Sequence, residues 1–211
     1  MRRFAECLIA AAVVLVAAPS FAQSRSVALR PFLLAADEHF AARTTFNTLF
    51  DSSTSPFWGG GLDVVFHERI FLDVAVSHMA MSGQRAFVSN GDVFPLGIPL
   101  RLTSTPVEVS AGYRFHLGKS RLTPYIGAGI GSYSFHETSD FSVPADDVDV
   151  RHSGFVAMAG AELRASRWLR VTGDAQYTRV PGILGDGGVS KDANERDFGG
   201  VAARLRMLVG R

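Results

Sequence analysis

From residue 23 onward the chain has a hydrophobic period of two and no amphipathic helical stretch of any length. Strict alternation marks a β-strand whose two faces meet different surroundings. It is clearest over 168–180. There Arg170, Thr172, Asp174, Gln176 and Thr178 share one face, and Leu169, Val171, Gly173, Ala175 and Tyr177 share the other. Segment 154–165 sets Phe155, Ala157, Ala159, Ala161, Leu163 and Ala165 against Glu162 and Arg164. Segment 197–209 sets Val201, Ala203, Leu205, Met207 and Val209 against Arg204 and Arg206. Over 101–115, Val107, Val109, Ala111, Tyr113 and Phe115 oppose Glu108, Ser110 and Arg114. Weaker alternation covers 27–36, 57–67, 70–80 and 122–135, so eight strands are expected.

The N-terminus has a different grammar. Met1-Arg2-Arg3 is followed by an apolar run from Leu8 to Ala18, then by small residues at Ser20 and Ala22. That is the layout of a secretory signal peptide, expected over residues 1–22 and cut after Ala22, with one domain over 23–211. The run is shorter than the ~20 residues a transmembrane helix needs. Cys7 is the only cysteine, so the remaining chain has neither a disulfide framework nor a thiolate metal site. That remainder carries 19 basic and 19 acidic residues, a neutral balance that gives no electrostatic case for nucleic acid.

The connections alternate in length. Short ones fall at His67-Glu68-Arg69, at 117–121 and at Ser166-Arg167; long ones are expected over 37–56, 83–98, 137–151 and 181–195. This is the pattern of a closed, up-and-down antiparallel β-barrel, all-β, with short turns at one end and long loops at the other. On the apolar parity, Trp58, Phe155 and Tyr177 fall beside long loops, and Phe66, Tyr113 and Phe115 beside short turns. Two aromatic bands of this kind form the girdle of a membrane barrel at its two interfaces.

Signal peptide, eight strands and loop asymmetry together resemble the OmpA/OmpX-type outer-membrane β-barrel superfamily. Pro124-Tyr125-Ile126-Gly127-Ala128-Gly129-Ile130-Gly131 is similar to a glycine-rich strand common in such barrels, where glycines leave room for large neighbours in a narrow interior. Such barrels often end on an aromatic residue; this chain ends Leu208-Val209-Gly210-Arg211. The resemblance implies a transmembrane barrel in the cell outer membrane, a monomer without cofactor, in contact with outer-membrane lipid and lipopolysaccharide. It implies a structural or surface-interaction role, or, by likeness to OmpW-type barrels, carriage of small hydrophobic molecules. A soluble lipocalin-like barrel would reverse the faces and put the arginines in an apolar interior, at high cost.

With the apolar face outward, the inward bases are Arg30, Arg114, Arg164, Arg170, Arg204 and Arg206, and the inward acids are Asp63, Asp73, Glu108, Glu162 and Asp174. Charges in a narrow lumen must pair, and arginine favours bidentate carboxylate partners. The expectation is a salt-bridged, plugged interior in place of a pore. Paired opposite charges close a lumen, whereas rings of one sign select ions.

Two loop segments are unusually apolar. Phe46, Leu49 and Phe50 have the spacing of one helical turn, and Val93, Phe94, Leu96 and Ile98 interrupt a polar connection. They read as a cap over the mouth, a hydrophobic binding site, or a partner surface. Asp140, Asp146, Asp147 and Asp149 read as a solvated acidic loop, and Gly185, Gly187 and Gly188 as a flexible one. His136 with Ser139 and His152 with Ser153 offer no third orienting group. No Gly-x-Ser-x-Gly or His-Glu-x-x-His motif is present, so the chain reads as non-enzymatic and metal-free.

Overall fold

The computed structural model describes residues 27–89, 92–118, 120–139 and 148–210; the expected signal peptide lies outside them. The strands are β1 (Val27–Phe40), β2 (Thr54–Phe66), β3 (Ile70–Ser89), β4 (Asp92–Ser104), β5 (Val107–Arg114), β6 (Leu122–Ser139), β7 (Val148–Arg164), β8 (Leu169–Arg179) and β9 (Gly200–Val209). Helix α1 (Arg43–Phe50) follows β1, and a short helix α2 (Gly188–Asp192) precedes β9. Every pairing is antiparallel, and β1 pairs with both β2 and β9. The sheet therefore closes on itself into a barrel.

Two of the nine strands form a single stave, which restores the count of eight. β3 runs along β4 and then β5 in one unbroken register, with Met79 opposite Ser104 and Val76 opposite Val107. The interruption is Thr105-Pro106. Proline has no N–H for the ladder, and the Thr105 N–H donates to Ser134 Oγ at 2.9 Å.

The second long connection differs from expectation. Most of 83–98 continues the β3–β4 hairpin, with Phe87 opposite Phe94 and a bulge between Gln84 and Ala86. Gly97, at φ 68°, turns the chain within that bulge. Of the glycines at 185–188, Gly185 and Gly187 lie in irregular chain and Gly188 begins α2.

Alternation sorts the faces as physics requires of two unlike environments. Along β9 every second residue is buried; Leu205, Met207 and Val209 face out and are about half exposed, while Arg204, Arg206 and Leu208 face in. Inside, bulk is balanced by glycine. Phe71 lies opposite Gly112, which lies opposite Gly127. The Phe71 ring lies across both: a Cβ on Gly112 would come within 2.4 Å of it and within 2.2 Å of the Ile126 carbonyl oxygen. Gly112→Val should therefore cost at least the ~1–3 kcal/mol of overpacking, read as a lower urea midpoint of the detergent-refolded barrel. Gly173→Val, where a Cβ meets nothing within 4 Å, should change it by less than about 0.5 kcal/mol.

Candidate functional site

The lumen is filled by an ordered stack of charges. At the turn end, Glu162 on β7 gathers three arginines from three other strands. Arg30 Nη1 donates to its Oε2 at 2.9 Å, Arg114 Nη2 to its Oε1 at 2.5 Å, and Arg170 Nε lies 3.0 Å from Oε1. Arg30 also donates to Asp63, and Arg170 Nη1 donates to the Gly210 carbonyl at 2.7 Å. Arg30 and Asp63 are directly opposed on β1 and β2, which places their heads together.

The middle layer is built on β9. Arg206 reaches across the barrel to Asp73 on β3 at 2.6 Å and to Tyr125 Oη on β6 at 2.8 Å, and donates through Nε to Thr172 at 3.1 Å. Its guanidinium also lies over the Phe32 and Tyr125 rings, at 5.3 and 5.5 Å, a contact strengthened by desolvation. Arg204 donates to Asp174 at 2.6 Å, to Gln176 Oε1, and to Met158 Sδ at 3.3 Å. Tyr125 donates to the other oxygen of Asp174 at 2.6 Å. Above this layer, Glu108 accepts from Tyr133 Oη at 2.7 Å and from Gln176 Nε2 at 3.1 Å, with Arg204 4.0 Å away.

The structure brings together ten of the eleven charged residues the alternation puts inside. Arg164 is the correction: it has inward parity but ends β7 at the rim, where it is exposed. Parity alone does not bury a residue at the last position of a strand. The sequence reading missed Tyr125, Tyr133 and Glu38. The tyrosines stand among the glycines of β6, which blur the alternation; their odd-numbered spacing with Gly127, Gly129 and Gly131 was the available signal. Glu38 lies in the stretch assigned to the first loop, whereas β1 continues through Phe40.

The loop mouth is closed by an aromatic cap. Phe40 and Phe46 stack at 4.0 Å, Phe198 packs against both at 5.5 and 6.0 Å, and Phe135 and Phe50 extend the cluster. Helix α1 seats on β3 where Gly83 admits the Leu49 carbonyl; a Cβ there would lie 1.9 Å from that oxygen. The helix start is held from far along the chain. Glu195, in the last loop, accepts from the Thr44 N–H at 2.9 Å, the Thr45 N–H at 2.8 Å and the Thr45 hydroxyl at 2.7 Å. Partial burial pushes the Glu195 carboxyl up, but these bonds from Thr45 and Thr44 outweigh it and hold it below the usual range.

The apolar loop residues are therefore two groups. Phe46 and Phe50 are buried in the cap, and Leu49 packs against it. Phe94 and Leu96 are each about half exposed on the hairpin, beside Phe87, and Ile98 is partly buried. The Val93 side chain lies outside the described residues, as do Asp140, Asp146 and Asp147. The helix folded inward because it follows β1 at the mouth; the hairpin segment extended instead, its two strands pairing with each other beyond their neighbours. Trp58, Tyr113, Phe115, Phe155 and Tyr177 are exposed on the outer face, and Phe66 is partly so. Tyr113 and Phe115 meet edge to face at 5.1 Å. Trp168, also exposed at the turn end, was missed. His136 is exposed on β6, whereas His152 on β7 has the inward parity, so these histidines do not share a face. Among the described residues no cluster of three or more metal-ligating side chains occurs.

A closed eight-stave barrel with an apolar exterior and a charged, bonded interior is the form of a membrane-spanning β-protein. The sequence model of the outer membrane protein beta-barrel domain matches residues 8–200, and the chain belongs to that family of outer-membrane proteins. No curated protein matches it in sequence. Among solved structures it is similar to the N-terminal β-barrel domain of Pseudomonas aeruginosa OprF, at 11% identity and TM-score 0.49, covering 86% of this chain and 97% of that one. Neisserial surface protein A is similar at 14% identity and TM-score 0.48, covering 89% and 96%. Ail of Yersinia pestis, solved with the heparin analogue sucrose octasulfate, is similar at 10% identity and TM-score 0.42, covering 88% and 96%.

Two outcomes follow from this geometry. Glu162→Gln leaves three guanidiniums around a neutral amide and should cost about 3–5 kcal/mol, the penalty of breaking a buried pair from one side, measurable by urea unfolding in detergent. For Glu195, a carboxyl depressed in the folded state contributes fully above its unfolded value and loses that contribution as pH falls through the lower folded value. The amide resonances of Thr44 and Thr45 should therefore titrate below the usual glutamate range. Glu195→Ala should abolish that titration and cost the cap about 1 kcal/mol, as loss of an N-cap does.

Proposed function

We propose that this protein is a non-enzymatic, plugged barrel that serves the outer membrane as a structural and surface-interaction element, its strands anchoring the loops outside. The observation that carries this reading is Arg206, which spans the lumen from β9 to β3 and β6 and leaves its guanidinium fully committed. Above it the stacked phenylalanines close the mouth. Paired charges and an aromatic cap block a path that rings of like charge would open. The aromatics at both ends of the outer face suit two lipid interfaces and support contact with outer-membrane lipid and lipopolysaccharide by a monomer.

A second reading, carriage of small hydrophobic molecules, draws on Phe87, Phe94 and Leu96, each more than half exposed near the hairpin tip. The experiments separate the two. In a planar bilayer the protein should show no large, stable conductance, and unboiled it should migrate apart from the boiled form on a gel. A stable open channel sinks the plugged-barrel reading. Phe94→Ser with Leu96→Ser should leave stability within about 0.5 kcal/mol, as exposed positions do. If wild type binds a fluorescent naphthylamine probe and the double variant loses it, the carrier reading replaces the anchor.

A further inference from the structure

The two ends of the barrel carry different charge. At the turn end, Arg69, Arg121, Arg164 and Arg167 are exposed, and Glu68 is the one exposed carboxylate there among the described residues. Glu68 is already engaged, 3.6 Å from His116. At the loop end, the exposed bases are interspersed with Asp37, Asp51, Asp149, Asp186 and Asp192. A surplus of one sign on one rim attracts a partner of the other sign.

Three of the four arginines gather on one flank. Arg121 directly precedes β6, Arg164 ends β7, and Arg167 lies in the turn into β8. The Arg164 N–H donates to the Arg121 carbonyl at 2.9 Å, so these two are neighbours on adjoining strands. On its other side Arg164 is directly opposite Arg170, whose guanidinium is taken up by Glu162 and the Gly210 carbonyl. Like charges facing each other across a ladder destabilise it. Among the described residues no carboxylate forms a salt bridge with Arg121, Arg164 or Arg167. An anion placed between them removes the repulsion and accepts several N–H donors at once.

The surface next to these arginines decides which anion. One residue toward the bilayer from Arg121 and Arg164, Leu122 and Leu163 are directly opposed and nearly half exposed. Trp168, about half exposed, follows Arg167, whose guanidinium stands 6.0 Å from its ring. Indole rings and arginine stems are suited to the depth of lipid headgroups. The cationic patch thus continues the lipid-facing surface without a break, and the anion that fits it carries apolar chains. A headgroup with its own ammonium would bring back the repulsion that the phosphate relieves. We infer that the turn-end rim from β6 to β8 is a binding site for an anionic phospholipid, a phosphodiester whose headgroup alcohol is uncharged. Arg121 and Arg164 hold the phosphate, Arg167 adds a third positive charge, and Leu122 and Leu163 pack against the first methylenes. The inference rests on the lipid contact proposed above and is independent of whether the lumen is plugged.

The chain has two tryptophans, Trp58 toward the loops and Trp168 at the turns, so each reports on its own rim. The test uses the full barrel folded into phosphatidylcholine vesicles, carrying either Trp58→Phe or Trp168→Phe. Its remaining fluorescence is quenched with phosphatidylglycerol or phosphatidylcholine brominated in the acyl chains. Trp168 should select phosphatidylglycerol by about fivefold or more, the gain from one basic residue at an anionic lipid surface, and Trp58 should show no preference. Arg121→Gln with Arg164→Gln should abolish the selection at Trp168. Arg101→Gln with Arg151→Gln removes the same charge from exposed positions of β4 and β7 toward the loop end and should leave it unchanged. Heat-modifiability checks that each variant folds; if the first pair does not, Arg164→Gln alone should reduce the selection. Equal quenching of Trp168 by the two lipids, equal selection at both tryptophans, or selection that survives in the folded variant would each overturn the site. Quenching by neither lipid would show that the barrel is not embedded, and would sink the lipid contact together with the site.

Discussion

A guanidinium inside a barrel of eight staves has no bulk water to fall back on, so every arginine placed there obliges the opposite wall to supply an acceptor. That obligation organises the interior. Glu162 is shared by arginines from β1, β5 and β8, and Arg206 ties β9 to β3 and β6. Such pairs add little net stability over a well-packed apolar core, but breaking one from a single side is expensive. They therefore specify which strands face each other across the lumen more than they deepen the energy well.

The outer face obeys the opposite rule. Lipid offers the backbone no hydrogen bonds, so a spanning sheet must close, and the β1–β9 seam satisfies that requirement. The proline that interrupts the β4–β5 stave shows how tightly the accounting holds. Pro106 removes a donor, and the neighbouring Thr105 amide turns to Ser134 Oγ while the register continues undisturbed on both flanks.

Much of this was legible from residue periodicity. β7, β8 and β9 alternate cleanly, and Arg204, Arg206, Asp174 and Glu162 could be placed inside from spacing alone. Three things were hidden. β6 replaces inward bulk by glycine, so the large residues of its partners fill the space and its own pattern fades; Tyr125 and Tyr133 were lost with it. Strand ends cannot be read from period two, which is why Glu38 went to a loop, Arg164 to the lumen, and the 83–98 hairpin to a coil. The cap depends on contacts between the first and last loops, and nothing local in Glu195 announces that it will meet the amides of Thr44 and Thr45.

That last contact joins the two ends of the chain. Helix α1 follows β1 and Glu195 precedes β9, the two strands that form the closing seam. The helix cannot find its capping carboxylate until those strands are neighbours. The mouth is therefore sealed by an event that reports completion of the barrel: a half-assembled sheet has an open top, and a shut top certifies that the first and last staves have met.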